Sequence, residues 1–350
     1  MDLARHARLS VAPMMDWTDR HCRFFHRQLS RHALLYTEMI TAKALIYGNR
    51  EKLLAFHPAE HPVALQVGGS IPRELGEAAR TGAQAGYDEI NLNAGCPSER
   101  VQSGFFGAAL MKEPNLAGEC VRAMIEGSAN VEVTVKCRIG VDDQDPNDAL
   151  AAFLDSVRAS GVRRVAIHAR KALLKGLSPK ENRVIPPLDY DVANIMRGYF
   201  PELAISINGG IGSLEAVEGF LKQGFAGAMV GRAAYRTPGE ILLDADRRIF
   251  NSTEMPPGKT EIARTMLRYA ERHVEAGGKL NHVTRHLVGL FNGVPGSRLW
   301  KRRLSEGAVG DSSRIKALEE AIGGFEAGPP AVGIMSDSIG GIIGKPESAI

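Results

Sequence analysis

Short apolar runs rich in β-branched residues recur along the first 231 residues, at 9–13, 34–37, 63–67, 89–93, 133–136, 165–168, 204–208 and 228–231. They read as runs without regular polar alternation, which suits parallel strands buried on both faces. Stretches with helical spacing fall between them, at 72–85, 114–127, 147–160, 214–223 and 238–250. Pro114 stands just inside one start, while Gly86, Gly161 and Gly224 stand just past three ends, the usual punctuation of helices. Eight strand-then-helix units predict an α/β fold, a TIM (β/α)8 barrel over about residues 9–250. A doubly wound open sheet is the competitor, but no GxGxxG follows the first strand.

Beyond the barrel, residues 252–259 read as a linker around Met255-Pro256-Pro257-Gly258, and 260–274, 281–291, 297–304 and 315–322 look helical. The expected organisation is a barrel at 1–251, the linker, a small C-terminal helical bundle at 260–324, and a flexible tail at 325–350. The 44% hydrophobic and 24% charged residues in 350 fit a globular chain. Nothing approaches the ~20 uninterrupted apolar residues of a membrane span. The start of the chain lacks the apolar run of a signal peptide, so a cytoplasmic protein is expected, with no membrane contact. Cys22, Cys96, Cys120 and Cys137 show neither CxxC pairing nor zinc-ligand spacing, so reduced thiols and no metal are expected.

Chemistry in this fold sits at the carboxyl ends of strands. Those ends carry Gln66, Asn91 and Asn93 ahead of Gly95-Cys96-Pro97, then Lys136, Arg138, His168, Asn208-Gly209-Gly210 and Gly231-Arg232. The glycine pair and Gly231-Arg232 place bare backbone N–H groups where such barrels commonly hold phosphate. Gln66, Lys136 and His168 point toward the mouth, and a lysine beside a flavin pyrimidine stabilises the anionic reduced ring. A phosphate-bearing planar cofactor such as FMN fits this set. Cys96, in a turn directly after a strand, is held over the mouth as a nucleophile or general acid, and the lack of an adjacent activating base favours the acid. The other cysteines read as small core residues. Asn91 and Asn93 are expected to alternate, one facing the mouth and the other the barrel wall.

These motifs resemble the tRNA-dihydrouridine synthase family, and within it the type A branch. The resemblance rests on Ala12–Thr18 (APMMDWT), LQVGG at 65–69, EINLNAGCPS at 89–98, VKCRIG at 135–140, IHARK at 167–171, LSPKENRVIPPLD at 177–189, Asn208-Gly209-Gly210-Ile211, Val230-Gly231-Arg232 and RHLVGLFNGVPGSRLWK at 285–301. It implies an enzyme that reduces the 5,6 double bond of uridine at D-loop positions 20 and 20a, using FMN reduced by NADPH. By motif, Pro13, Met14 and Met15 would line the flavin and Gln66 would bond its ring. Lys136 and His168 would hold the ring and phosphate region, and Asn208, Gly209, Gly210, Gly231 and Arg232 the phosphate. Cys96 would be the general acid that protonates carbon 5 after hydride reaches carbon 6. Asn93 would contact the flipped uracil, and Lys180, Arg183, Arg298 and Lys301 would contact tRNA.

Charge adds a partner. Net charge is only +3, but 279–303 carries +6 with no Asp or Glu, and 163–183 carries seven basic residues against Glu181 alone. Beside Trp300, and with both stretches able to flank the mouth, phosphate contact with tRNA is the expected role. No protein partner is implied, and a monomer is expected. Two other readings compete: a small-molecule FMN barrel reductase, which has no need of a basic helical appendage, and an inactive RNA-binding barrel, which has no need of Gln66, Cys96, Lys136 and His168.

Overall fold

A computed structural model describes residues 2–98, 104–306 and 313–326. All but the first two residues of the expected tail lie outside the described residues. Eight parallel strands are ordered around a closed barrel: β1 (Leu9–Val11), β2 (Leu34–Tyr36), β3 (Val63–Gly68), β4 (Glu89–Ala94), β5 (Glu132–Arg138), β6 (Arg164–His168), β7 (Ala204–Asn208) and β8 (Gly227–Val230). Closure comes from two pairings, β1 with β8 (Val11 opposite Val230) and β2 with β3 (Leu35 opposite Val63). Two further residues, Ile40–Thr41, extend the pairing on the far end of β3.

The expectation of strands without alternation is corrected by the barrel. Every second residue faces the surrounding helices and is apolar: Leu65 and Val67, Ile90 and Leu92, Val133 and Val135, Val165 and Ile167, Ile205 and Ile207 all join the main core. The residues between them face the lumen and are mostly small or polar. Ala12, Leu34, Tyr36, Ala64, Ala166 and Met229 form a separate inner cluster, among buried Ser10, Gln66, Glu89, Asn91, Thr134 and Ser206. Asn91 and Asn93, two residues apart, therefore point the same way. Their expected alternation is wrong, and Gln66 hydrogen-bonds both.

At the amino-terminal end of the lumen, polar groups neutralise one another. The Tyr36 hydroxyl donates to Glu89 Oε1 at 2.6 Å, and Thr134 Oγ1 donates to the same oxygen. Arg164 Nη2 reaches Glu89 Oε2 at 2.5 Å and Glu132 Oε2 at 2.9 Å.

Helices Pro72–Gln84, Pro114–Gly127, Pro146–Ala159 and Leu214–Lys222 lie where the helical spacing predicts them. The expected helix at 238–250 is instead two short ones, Pro238–Leu242 and Ala245–Arg248. Two others were not among the expected helices, Arg20–Leu29 and Tyr190–Tyr199. The first buries His21, Arg23, His26 and Arg27, and can do so because Arg23 pairs with Glu60 at 2.7 Å while Arg27 donates to the Ser30, Ala33 and Pro62 carbonyls. Past the linker, Lys259–Glu275, Asn281–Leu287, Ser297–Glu306 and Ser313–Glu326 are helical. Trp300 is almost fully buried there, with Nε1 donating to the Leu287 carbonyl at 3.0 Å and its ring against Phe291. It is a core anchor of the appended helices, not a surface beside the basic run. Among the described residues, no helix is long and apolar enough to cross a membrane.

Candidate active site

The carboxyl end of the barrel gathers most of the expected residues. Gln66 on β3 is the hub of an amide row: its Nε2 donates to Asn91 Oδ1 and its Oε1 accepts from Asn93 Nδ2, both at 2.8 Å. Asn93 Oδ1 in turn accepts the backbone N–H groups of Gly95 and Cys96, each at 3.0 Å. Asn93 thus builds the turn that carries the Cys96 thiol. Cys96 is half-buried, its carbonyl accepts from Ala108 N–H at 2.9 Å, and its Sγ lies 3.5 Å from Ser98 Oγ. Cys22, Cys120 and Cys137 are buried, as expected of small core residues.

Lys136 stands beside Asn93 in the strand register. Its ammonium has no hydrogen bond or ion pair among the described residues. Burial first, then the Arg138 charge, lowers its pKa from 10.5 to about 8, with the nearby Cys137 and Cys96 acting the other way. His168, on β6, is held neutral, well below the ordinary histidine range, by burial and by the surrounding Arg138, Lys136, Arg170 and Arg232. None of these four cations forms an ion pair among the described residues, and the buried Nε of Arg170 has no hydrogen-bond partner. Positive charge without a carboxylate partner suits this end of the barrel to an anion from outside the chain.

The β7 loop supplies bare backbone beside that charge. Gly209 and Gly210 adopt φ of +114° and +68°, and a Cβ on them would fall 2.9 Å from His168 Cδ2 and 2.6 Å from Leu188 Cδ1. Only glycine fits both the conformation and the space. The Tyr190 hydroxyl fixes the loop by donating to the Gly209 carbonyl at 2.7 Å. The Asn208 side chain is spent elsewhere, its Nδ2 donating to the Met229 carbonyl at 2.7 Å. Gly231 precedes the helix Arg232–Arg236, which has no side-chain cap on its first N–H groups. Met14 lies against Gly231, its Sδ 3.8 Å from where a Cβ would stand; Pro13 is half-buried, while Met15 is exposed. A cleft of about 380 Å³, between Arg27, Asp246 and linker residues 255–258, is lined by none of the candidate residues.

The profile of the family described as Dihydrouridine synthase (Dus) matches residues 10–323. The chain belongs to the dihydrouridine synthase family. Relatives named tRNA-dihydrouridine(20/20a) synthase include those of Shewanella oneidensis, 51% identical over 89% of this chain and 92% of the relative, and of Escherichia coli K12, 51% identical over 92% of each. Among solved structures, a morphinone reductase is 13% identical with a TM-score of 0.48, covering 73% of this chain and 88% of that one, a likeness too slight to carry an argument.

Membership of the dihydrouridine synthase family directs attention to the outer, basic residues. Lys180 and Arg183 are exposed, Lys180 just before the turn Glu181–Arg183 and Arg183 at its end, with the Arg183 carbonyl accepting from Arg232 Nη2 at 3.2 Å. Arg298 and Lys301 are exposed on the helix Ser297–Glu306. Other parts of the basic runs do not reach the mouth. Arg163 and Arg164 stand at the start of β6, where Arg164 is locked to Glu89 and Glu132. Arg285 pairs with Asp19, whose carboxyl is held well below the usual range: burial pushes it up, but His286 and Arg285 outweigh that.

Arg138 went unassigned by sequence reasoning. Its Nε donates to the Gly95 carbonyl at 2.9 Å, and its Nη1 donates to the carbonyls of Lys171 and Asn182 at 2.8 and 3.0 Å. It therefore braces the Cys96 turn against the loop after β6. Its place inside VKCRIG, at the carboxyl end of its strand, was the available signal.

Proposed function

We propose that this enzyme reduces uridines at D-loop positions 20 and 20a of tRNA to dihydrouridine, with FMN bound in the barrel mouth and NADPH as electron donor. The observation that carries the reading is a half-buried thiol, Cys96, on the same rim as a lysine ammonium that has no counter-charge. Family membership and the names borne by relatives at about half identity support the substrate.

The mouth suits an anionic flavin. Lys136, the orphaned Nε of Arg170 and the bare backbone of Gly209 and Gly210 are donors awaiting acceptors. Gln66 and His168 would meet the ring, Lys136 its electron-rich edge, and Gly209, Gly210, Gly231 and Arg232 the phosphate, with Pro13, Met14 and Met15 as the apolar wall. When bound, FMN reduced by NADPH supplies the hydride that adds to carbon 6 of uracil. The Cys96 thiol donates its proton to carbon 5, and for that role it must reach the base still protonated. Asn93 holds the Cys96 turn and keeps its second Nδ2 hydrogen for the base. Arg138 positions the same turn from the opposite side.

A uracil in a folded tRNA must leave its stack to enter such a mouth. Lys180 and Arg183 on the rim, and Arg298 and Lys301 on the appended helices, would hold the tRNA backbone. Recognition there rests on shape and phosphate. The reaction belongs in the cytoplasm, with one chain as the working unit. Mapping dihydrouridine in tRNA from a deletion strain, with and without the restored gene, tests the reading. Loss of dihydrouridine at 20 and 20a in the deletion, and its return with the gene, is expected; unchanged D-loops would overturn it.

A further inference from the structure

Away from the mouth, three imidazoles from distant parts of the chain meet where the barrel joins the appended helices. His21 lies near the start of Arg20–Leu29, His273 in the last turn of Lys259–Glu275, and His282 in the first turn of Asn281–Leu287. One ring nitrogen from each lies within 4.8 Å of the other two, and His273 Nε2 is 3.2 Å from His282 Nδ1. The His21 and His273 ring centres are 4.4 Å apart. His21 Nδ1 is engaged by the Tyr269 hydroxyl at 2.8 Å, which leaves Nε2 as its free nitrogen. A polar partner on the second nitrogen is what orients a ligating histidine.

We propose that His21, His273 and His282 bind one divalent transition-metal ion of the zinc type, clamping the barrel to the appended helices. Zinc–nitrogen bonds of ~2.0–2.1 Å place tetrahedral ligand atoms about 3.3 Å apart. The His273–His282 pair already has that spacing, and His282 is exposed at the edge of the cluster. A water would complete the fourth position.

Two independent features favour ligation. The first is the turn between the two appended helices. Gly278 N–H donates to the His273 carbonyl at 2.8 Å, and a Cβ on Gly278 would fall 2.2 Å from the His273 ring. The glycine lets the chain reverse tightly enough to bring His282 onto His273. The second is ring packing: the His282 ring centre lies 6.1 Å from that of His21 and 5.4 Å from that of His273, so the three imidazoles share one space. Arg20, Lys279 and Arg285 stand nearby as opposing charges, and Asp19 is engaged by Arg285 and His286. Affinity should thus fall below that of a four-ligand structural zinc site.

The test is direct metal binding to untagged, chelator-stripped, full-length protein, with Zn2+ followed by calorimetry and Co2+ by visible absorption. One ion per chain is expected, with a rise of a few degrees in the thermal midpoint at saturating zinc. His282→Ala, an exposed change, should leave the metal-free midpoint in place and weaken binding at least tenfold; His273→Gln should do the same. Cys96→Ala should bind zinc unchanged. Failure of the stripped protein to take up zinc, or uptake that survives His282→Ala and disappears in Cys96→Ala, overturns the proposal.

Discussion

At the amino-terminal end of the lumen, Arg164 reaches two carboxylates within 3 Å, and Glu89 accepts from Tyr36 and Thr134 besides. At the carboxyl end, Lys136 and Arg138 on β5 meet no carboxylate, and Arg170 leaves a buried nitrogen unbonded. Both ends bury cations in the same barrel. One is neutralised by the chain itself, the other is not, and the difference separates structure from function. A buried charge compensated in place contributes to specifying the fold. A buried charge left uncompensated costs stability, and its retention is explained by an anionic ligand that offsets it.

The largest expected effect lies at the mouth. Cys96→Ala should lower dihydrouridine formation on unmodified tRNA by about 10²–10⁴-fold, the usual weight of a general acid, while flavin content and tRNA affinity stay unchanged. Turnover at the wild-type rate would remove the thiol from the chemistry.

Stability should then divide the two ends. Arg164→Met strands Glu89 in the lumen and should cost about 3–5 kcal/mol in chemical denaturation. Lys136→Met removes a cation with no partner, so the flavin-free protein should be as stable or more so. Equal losses at both sites would erase the contrast.

Flavin binding should read the opposite way. Lys136→Met should weaken FMN by about 10–100-fold, the range of a charge-assisted hydrogen bond. In the flavin-free protein the Lys136 pKa is lowered to about 8 by burial, so its charge is present below pH 8 and absent above. FMN affinity measured by fluorescence quenching should therefore fall as pH rises through 8, and be flat in Lys136→Met. Because the unfolded chain still binds that proton up to its ordinary pKa of 10.5, the same group makes the flavin-free fold more stable as pH rises from about 8 toward 10.5.

The smallest effects are on the tRNA surface. Arg298→Ala and Lys301→Ala should each reduce the slope of log affinity against log salt by ~1. Arg285→Ala, in the same basic run but paired with Asp19, should lower stability more than it changes that slope.

Much of the barrel was legible in the chain because its outward positions are apolar and its helices carry apolar stripes. Gly86, Gly161 and Gly224 marked the ends of helices that form where expected. The helix Arg20–Leu29 was not legible, since it buries arginines and histidines whose partners, Glu60 and distant carbonyls, are invisible to periodicity. Cys96 could be singled out from its turn alone, and Gln66, Lys136 and His168 from strand ends. What pairs with what could not. The basic run at 163–183 looked continuous, yet the barrel sends Arg164 to one end and Arg170 to the other. Trp300 beside a basic run suggested a surface, whereas packing against Phe291 makes it core. Arg138 was hidden for the same reason, because its three carbonyl partners lie on two loops distant in the chain.

The most direct test of the central claim is an anaerobic single turnover, in which enzyme with its FMN already reduced is mixed with unmodified tRNA and flavin absorbance is followed. Reoxidation of the flavin, with one dihydrouridine formed at position 20 or 20a per flavin oxidised, is predicted. Flavin that stays reduced in the presence of bound tRNA would contradict the account.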